Sequence, residues 1–214
     1  MKKEQVFKII ALVLNLFVFI SGQIILWRML ILGTASPMDG KKLHYDCLEF
    51  FTTLSNVWAS LVAAVLVVFA IINFKKEGYT LPRWLSFLHL SAATSLALTA
   101  LTVLLFLGPR SGFDLMYKED MFFYHLLNPI LIVASYFFTK HPHYKFRFVL
   151  IGVIPMAIYG IFYASFVLSG VWNDFYGFTF GGQDWAIALV LPIMLCVTYL
   201  ISLGISIKNL RKQK

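Results

Sequence analysis

The chain has 214 residues, of which 60% are hydrophobic and only 13% charged, and it carries a net charge of +8. Its mean hydropathy of +0.80 excludes a water-soluble domain, which at this size has no means of hiding so much apolar surface; the solvent for most of the chain must be lipid. The +8 could point to nucleic acid, but the placement of the charges, taken up below, excludes that partner.

Six apolar runs follow one another, at residues 6–32, 48–74, 84–107, 121–139, 147–169 and 185–207. Each is close to or above the roughly 20 residues that carry a helix across a bilayer core, and each is too long for a barrel strand. The expected fold is therefore all-α: a polytopic membrane protein of six transmembrane helices, one domain over residues 1–214. The first run follows Lys2, Lys3 and Lys8, as a signal peptide would. Its apolar part exceeds the roughly 7–15 residues of such a segment, so it reads as an uncleaved first helix. Cys47 and Cys196 fall at a helix start and inside another run, which argues against a disulfide; no Cys/His spacing suggests zinc.

The connections alternate in charge. Thirteen of the eighteen basic residues lie in the N-terminus, the 2–3 loop (Lys75, Lys76, Arg83), the 4–5 loop (Lys140, Lys145, Arg147) and the tail (Lys208, Arg211, Lys212, Lys214). The positive-inside rule makes both termini cytoplasmic, N-in and C-in, and turns the +8 into a topology signal. Eight of the ten acids then face outward: Asp39, Asp46, Glu49, Asp114, Glu119, Asp120, Asp174 and Asp184. Arg28, near the outer end of helix 1, is expected to pair with one of them or to snorkel outward.

Helix 2 opens with "EFFTTLSN", residues 49–56, which takes polar groups into lipid. On a wheel turned about 100° per residue, Tyr45, Glu49, Thr52, Thr53, Asn56 and Ser60 share one arc, while Ser55 falls outside it. Such an arc belongs to the bundle interior. In helix 4, "MFFYHLLNPILIVASYFF", His125 and Asn128 are three residues apart and share a face, which Ser135 and Thr139 extend inward. Pro129 frees a backbone carbonyl beside that face. Thr52 and His125 each lie about four residues past a helix start, roughly 6 Å deep, so a hydroxyl and an imidazole have matched depth and form a nucleophile–base pair if they meet. The bland alternatives are threonines bonded to their own helix and an Asn56–Asn128 pair that only joins two helices.

His89, near the cytoplasmic end of helix 3, reads as structural; it and His125 are too far apart to share one haem iron. "KHPHYK", residues 140–145, places His141 and His143 on a basic loop, where solvated surface is expected. The 5–6 loop, "GVWNDFYGFTFGGQDW", reads either as an aromatic belt or as a cap in which Asp174 reaches and orients His125.

Six apolar helices, "FFTTLSN" opening helix 2, "HLLNP" in helix 4 and a "Y-G-F" loop between helices 5 and 6 together resemble the androgen-induced, FAR-17a-like membrane proteins and their bacterial six-pass relatives. Animal members of that family are threonine hydrolases of fatty acid esters. The resemblance implies Thr52 as nucleophile and His125 as base. It leaves Asn56, Asn128, Ser55 and Asp174 as candidate substrate or oxyanion contacts. The expected function is an intramembrane hydrolase of lipid esters in the plasma membrane, with membrane lipids or fatty acid esters as partners and no cofactor or metal. The alternative is a non-catalytic lipid-binding or transport protein that uses the same pocket.

Overall fold

Backbone groups inside lipid have no water to bond, which leaves the helix as the way for these runs to satisfy them. The computed structural model describes residues 3–35 and 42–210. Asp39, Lys2, Arg211, Lys212 and Lys214, all read above from the sequence, lie outside the described residues. Among the described residues six helices are long and apolar enough to cross a membrane: α1 (Lys3–Leu32), α2 (Phe51–Ile72), α3 (Arg83–Ser111), α4 (Asp120–Phe138), α5 (Phe146–Leu168) and α6 (Trp185–Asn209). A two-residue antiparallel ladder, β1 (Thr34–Ala35) with β2 (Lys42–Leu43), closes the connection from α1 to α2.

The six helices agree with the runs in the sequence to within a few residues. The departure that matters for the polar stripe is the start of α2. Residues Tyr45–Glu49 form a separate 3-10 turn, and Phe50 is extended (φ −87°, ψ 132°) before α2 begins. The helical wheel therefore does not continue back through Glu49 and Tyr45. Tyr45 is exposed, and neither residue belongs to the polar stripe.

At the core is α3, which packs against α2, α4, α5 and α6. It buries 56% of its most apolar stretch, against 22% for α6. Its sequence "LSAATSLALT" explains this, because small side chains let neighbouring backbones approach. The hydroxyls of Ser95 and Thr99 bond back to the carbonyls of Ser91 and Ser95, so they enter the interior already satisfied. Large apolar residues such as Ile24, Leu61, Leu105, Ile130, Ile161 and Leu200 face outward, the surface that lipid covers.

Close approaches fix the packing elsewhere. A Cβ on Gly22 of α1 would lie 2.7 Å from the Ser60 Cβ of α2, and one on Gly152 would lie 2.3 Å from the Ser202 Oγ of α6. Bonds between loops sort the connections into two ends. The Gly78 N–H donates to the Glu4 carboxylate (2.8 Å), that of Leu81 to the Lys140 carbonyl (3.0 Å) and that of Tyr144 to the Asn209 carbonyl (3.1 Å). Among the described residues the basic N-terminal, 2–3, 4–5 and C-terminal segments thus meet at one end, the end that the positive-inside rule expects to be cytoplasmic. At the other end Arg28 pairs with Asp120 at 3.0 Å, one of the acids expected for it.

Candidate functional site

The polar residues of α2 do not share one interior face; they divide between two. Ser55, the outlier on the wheel, is 3% exposed and its hydroxyl lies 3.0 Å from that of Thr99 on α3. Asn56 points the other way, toward α1 and α4. The reason is that α2 packs against helices on both sides, so a wheel with a single inner arc describes it poorly. Ser55 also donates to the Thr52 carbonyl at 3.1 Å; it fastens two helices and lines the groove between α2 and α5.

Asn56 and Asn128 meet. The Asn128 amide donates to Asn56 Oδ1 at 3.1 Å, and Ser21 of α1 donates to Asn128 Oδ1 at 2.7 Å. Asn56 Nδ2 donates to the Thr52 carbonyl (2.9 Å) and to the Tyr124 carbonyl (3.1 Å). Both hydrogens of its amide are spent, which corrects its assignment as an oxyanion donor. The Tyr124 hydroxyl reaches the Gly22 carbonyl at 2.9 Å. The result is a closed polar layer that ties α1, α2 and α4 together.

One turn outward of this layer lie Thr52 on α2 and His125 on α4. His125 occupies a π-helical turn, Phe123–Leu127, just before Pro129. A second such turn, Val103–Leu107, stands just before Pro109 in α3. Proline has no N–H and its ring crowds the carbonyl four residues back; widening the preceding turn accommodates both. His125 is 6% exposed, and its Nδ1 lies 2.6 Å from the Met116 carbonyl. A carbonyl only accepts, so Nδ1 carries the proton and Nε2 of the neutral ring is the acceptor. The expectation that Asp174 orients His125 is therefore corrected: the backbone of Met116 does so.

Asp174 builds the outer loop instead. It accepts from the hydroxyls of Tyr163 and Thr179 and from the N–H groups of Phe178 and Thr179. Burial works against its charge, but these bonds outweigh it and hold the carboxyl below its usual value. The loop so fixed lays Tyr176 over the start of α2. The Phe51 N–H donates to the Tyr176 phenol at 3.0 Å, and Thr52 lines the same small space as this phenol. Burial pushes this phenol up to about 12, with the neighbouring Tyr159 and the Phe51 N–H opposing.

No described hydrogen bond joins Thr52 to His125. Thr52 is half-buried and lines a space of about 20 Å³ with Thr99, Tyr159, Tyr176 and Phe178, room for about one water. An apolar groove of about 280 Å³ between α2 and α5 shares Phe51 and Tyr159 with it as walls. Tyr176 and Met116 are the two contacts that the sequence did not assign. The "Y-G-F" motif was a signal for Tyr176; a backbone carbonyl such as that of Met116 leaves none.

Two other histidines complete the picture. His89 is fully buried, with Nε2 at 2.9 Å from Ser135 Oγ and Nδ1 without a hydrogen-bond partner among the described residues. His141 is not solvated surface. It is 8% exposed, stacked on Tyr136 at 3.9 Å between ring centres, with Nδ1 at 2.8 Å from Ser86 Oγ. His143 is exposed, as expected. Among the described residues no group of three or more His, Cys, Asp or Glu is placed to hold a metal ion.

Fold and burial together define the class: an all-α, multi-pass membrane protein. Beyond that class, no protein-family model, curated protein or solved structure matches the chain.

Proposed function

We propose that the protein hydrolyses esters of membrane lipids, with Thr52 as nucleophile and His125 as base, in the outer half of the cell membrane. The observation that carries the reading is the Asn56–Asn128 layer: it sets α2 and α4 in register, with Thr52 and His125 one turn beyond it on parallel helices. The His125 tautomer supports it as well, since Nε2 is the nitrogen able to take a proton. So does the resemblance of "FFT" and "HLLNP" to a family of threonine hydrolases.

In this reading the acyl chain lies in the groove between α2 and α5, and Phe51 and Tyr159 yield to admit the carbonyl. A change of χ1 turns the Thr52 hydroxyl from Tyr176 toward α4. Its oxygen attacks the carbonyl carbon while its proton passes to His125 Nε2. The Tyr176 phenol, neutral at physiological pH, donates to the oxygen that gains charge. The ester C–O bond breaks and the leaving alkoxide takes the proton from His125. Water then attacks the acyl-threonine and gives a proton to His125; the acyl C–O bond breaks, the acid leaves and the Thr52 oxygen takes the proton back from His125.

The alternative is lipid binding without chemistry, favoured by the small space at Thr52. Hydrolysis of long-chain esters and labelling by a fluorophosphonate probe separate the two. Thr52→Ala and His125→Ala are each expected to remove most activity, about 10³-fold, and the double variant to be scarcely worse, because the residues act as one unit. Thr53→Ala should retain activity. A wild-type protein that neither hydrolyses long-chain esters nor takes up the probe sinks the enzyme reading.

A further inference from the structure

A cavity of about 430 Å³ lies at the opposite, lysine-rich end of the bundle, away from every residue of the site above. Its size falls within the range of pockets that hold small ligands. Phe7 and Leu12 of α1, Leu66 and Ala70 of α2, and Phe137 and Phe138 of α4 form its walls. The polar side chains deeper inside are already bonded to the protein. Asn15 donates to the Ala11 carbonyl and accepts from Ser135, Asn73 donates to the Phe69 carbonyl, and Thr139 donates to the Ser135 carbonyl. With these side chains already partnered, the surface that the interior offers a ligand is mainly apolar.

The rim is different. Lys3, Lys8 and Lys140 stand there with a single carboxylate, Glu4. That carboxylate is committed to Lys8 at 3.2 Å and to the Gly78 N–H at 2.8 Å. Each ammonium has three N–H donors. Lys8 spends two, on Glu4 and the Lys76 carbonyl, and Lys140 one, on the Gly78 carbonyl at 3.3 Å. Lys3 lies over the Phe7 ring at 5.6 Å. Spare donors and net positive charge therefore face the mouth of an apolar cavity, at the depth where lipid headgroups meet water.

We propose that this cavity binds a single-chain anionic amphiphile, its headgroup among Lys3, Lys8 and Lys140 and its acyl chain between α1, α2 and α4. An apolar interior gives a free phosphate or a nucleotide nothing to bond. The shared chemistry, an anion on one acyl chain, comes from two sources: a long-chain carboxylate or a lysophospholipid. This site stands apart from the ester-hydrolase reading and survives its failure.

The test is a native mass-spectrometry titration of the full-length protein in neutral detergent with palmitate, palmitoyl lysophosphatidate, hexadecanol and inorganic phosphate. One equivalent of palmitate or lysophosphatidate is expected to bind, at least tenfold more tightly than hexadecanol or phosphate, and the tighter of the two names the source. Lys8→Gln with Lys140→Gln, both toward the surface, should weaken binding tenfold or more. Ala70→Trp, which fills the cavity, should abolish it while the thermal midpoint shows the fold intact. Equal binding of hexadecanol removes the role of the lysines. Full competition by phosphate alone removes the role of the chain, and undiminished binding to a folded Ala70→Trp variant places the lipid elsewhere; each of these overturns the proposal.

Discussion

The two ends of this bundle use polar side chains in opposite ways. At the outer end Asn56, Asn128, Ser21 and Tyr124 bond one another, Asp174 and Tyr176 bond the loop and helix start, and about 20 Å³ is left beside Thr52. At the inner end the same three helices, α1, α2 and α4, diverge around about 430 Å³ with lysines at the rim. A polar stripe is thus no sign of a cavity. Polar groups in lipid seek each other, and where they succeed they draw helices together. The inner space opens where small residues, Ala11 and Ala70, leave room that neither a polar bond nor an aromatic ring fills.

Three perturbations sharpen that contrast. The largest effect is expected at the inner end, at His141. Its Nε2 donates to the Tyr136 carbonyl at 3.1 Å, so Nδ1 accepts from Ser86. Burial lowers its pKa from 6.5 to about 4, with the Tyr136 bond opposing. The unfolded chain takes up this proton near 6.5 and the folded one only near 4. Stability from His141 is therefore present above 6.5, is lost as pH falls through that window and amounts to about 3 kcal/mol. Thermal midpoints of wild type against His141→Gln, followed from pH 7 to 4, should converge on acidification; parallel curves would show that His141 titrates as an exposed group.

The outer layer is next. Asn56→Leu strands the Asn128 amide and the Tyr124 carbonyl, at a cost of about 2 kcal/mol. Adding Asn128→Leu should cost less than the sum of the single changes, because the partner is no longer stranded. Additive losses in denaturant unfolding would mean that the two residues do not share a bond. The smallest effect is expected in the outer loop. Gly177 has φ +73°, and a Cβ there would lie 2.1 Å from Arg110 Nη1, which donates to the Tyr176 carbonyl at 2.9 Å. Gly177→Ala should lower stability by about 1 kcal/mol from the left-handed backbone, seen as a fall of a few degrees in the thermal midpoint.

Legibility in the sequence followed the range of the interaction. Apolar run length is a local quantity set by bilayer thickness, so six helices and their limits were readable to within a few residues. The grouping of basic loops at one end was readable for the same reason, since each loop's charge is carried in its own residues. The buried faces were readable in part. Asn56, Asn128 and His125 fell on interior faces because an unpaired polar group in lipid is costly wherever it sits.

What a residue bonds to was not readable, because the partners lie far along the chain. The Tyr176 phenol meets the Phe51 N–H across 125 positions, and Ser135 meets Asn15 across 120. Ser55 was misplaced because a wheel knows one helix and cannot know that α2 has neighbours on both sides. His141 was misread because its loop is basic, while its burial depends on Tyr136 and Ser86 from other segments. Composition and periodicity determined that this chain has six helices fit to cross a membrane and, in part, which residues turn inward. Only packing decided which of those residues meet, and that the open space lies beside Lys8 and Lys140 and not beside Thr52.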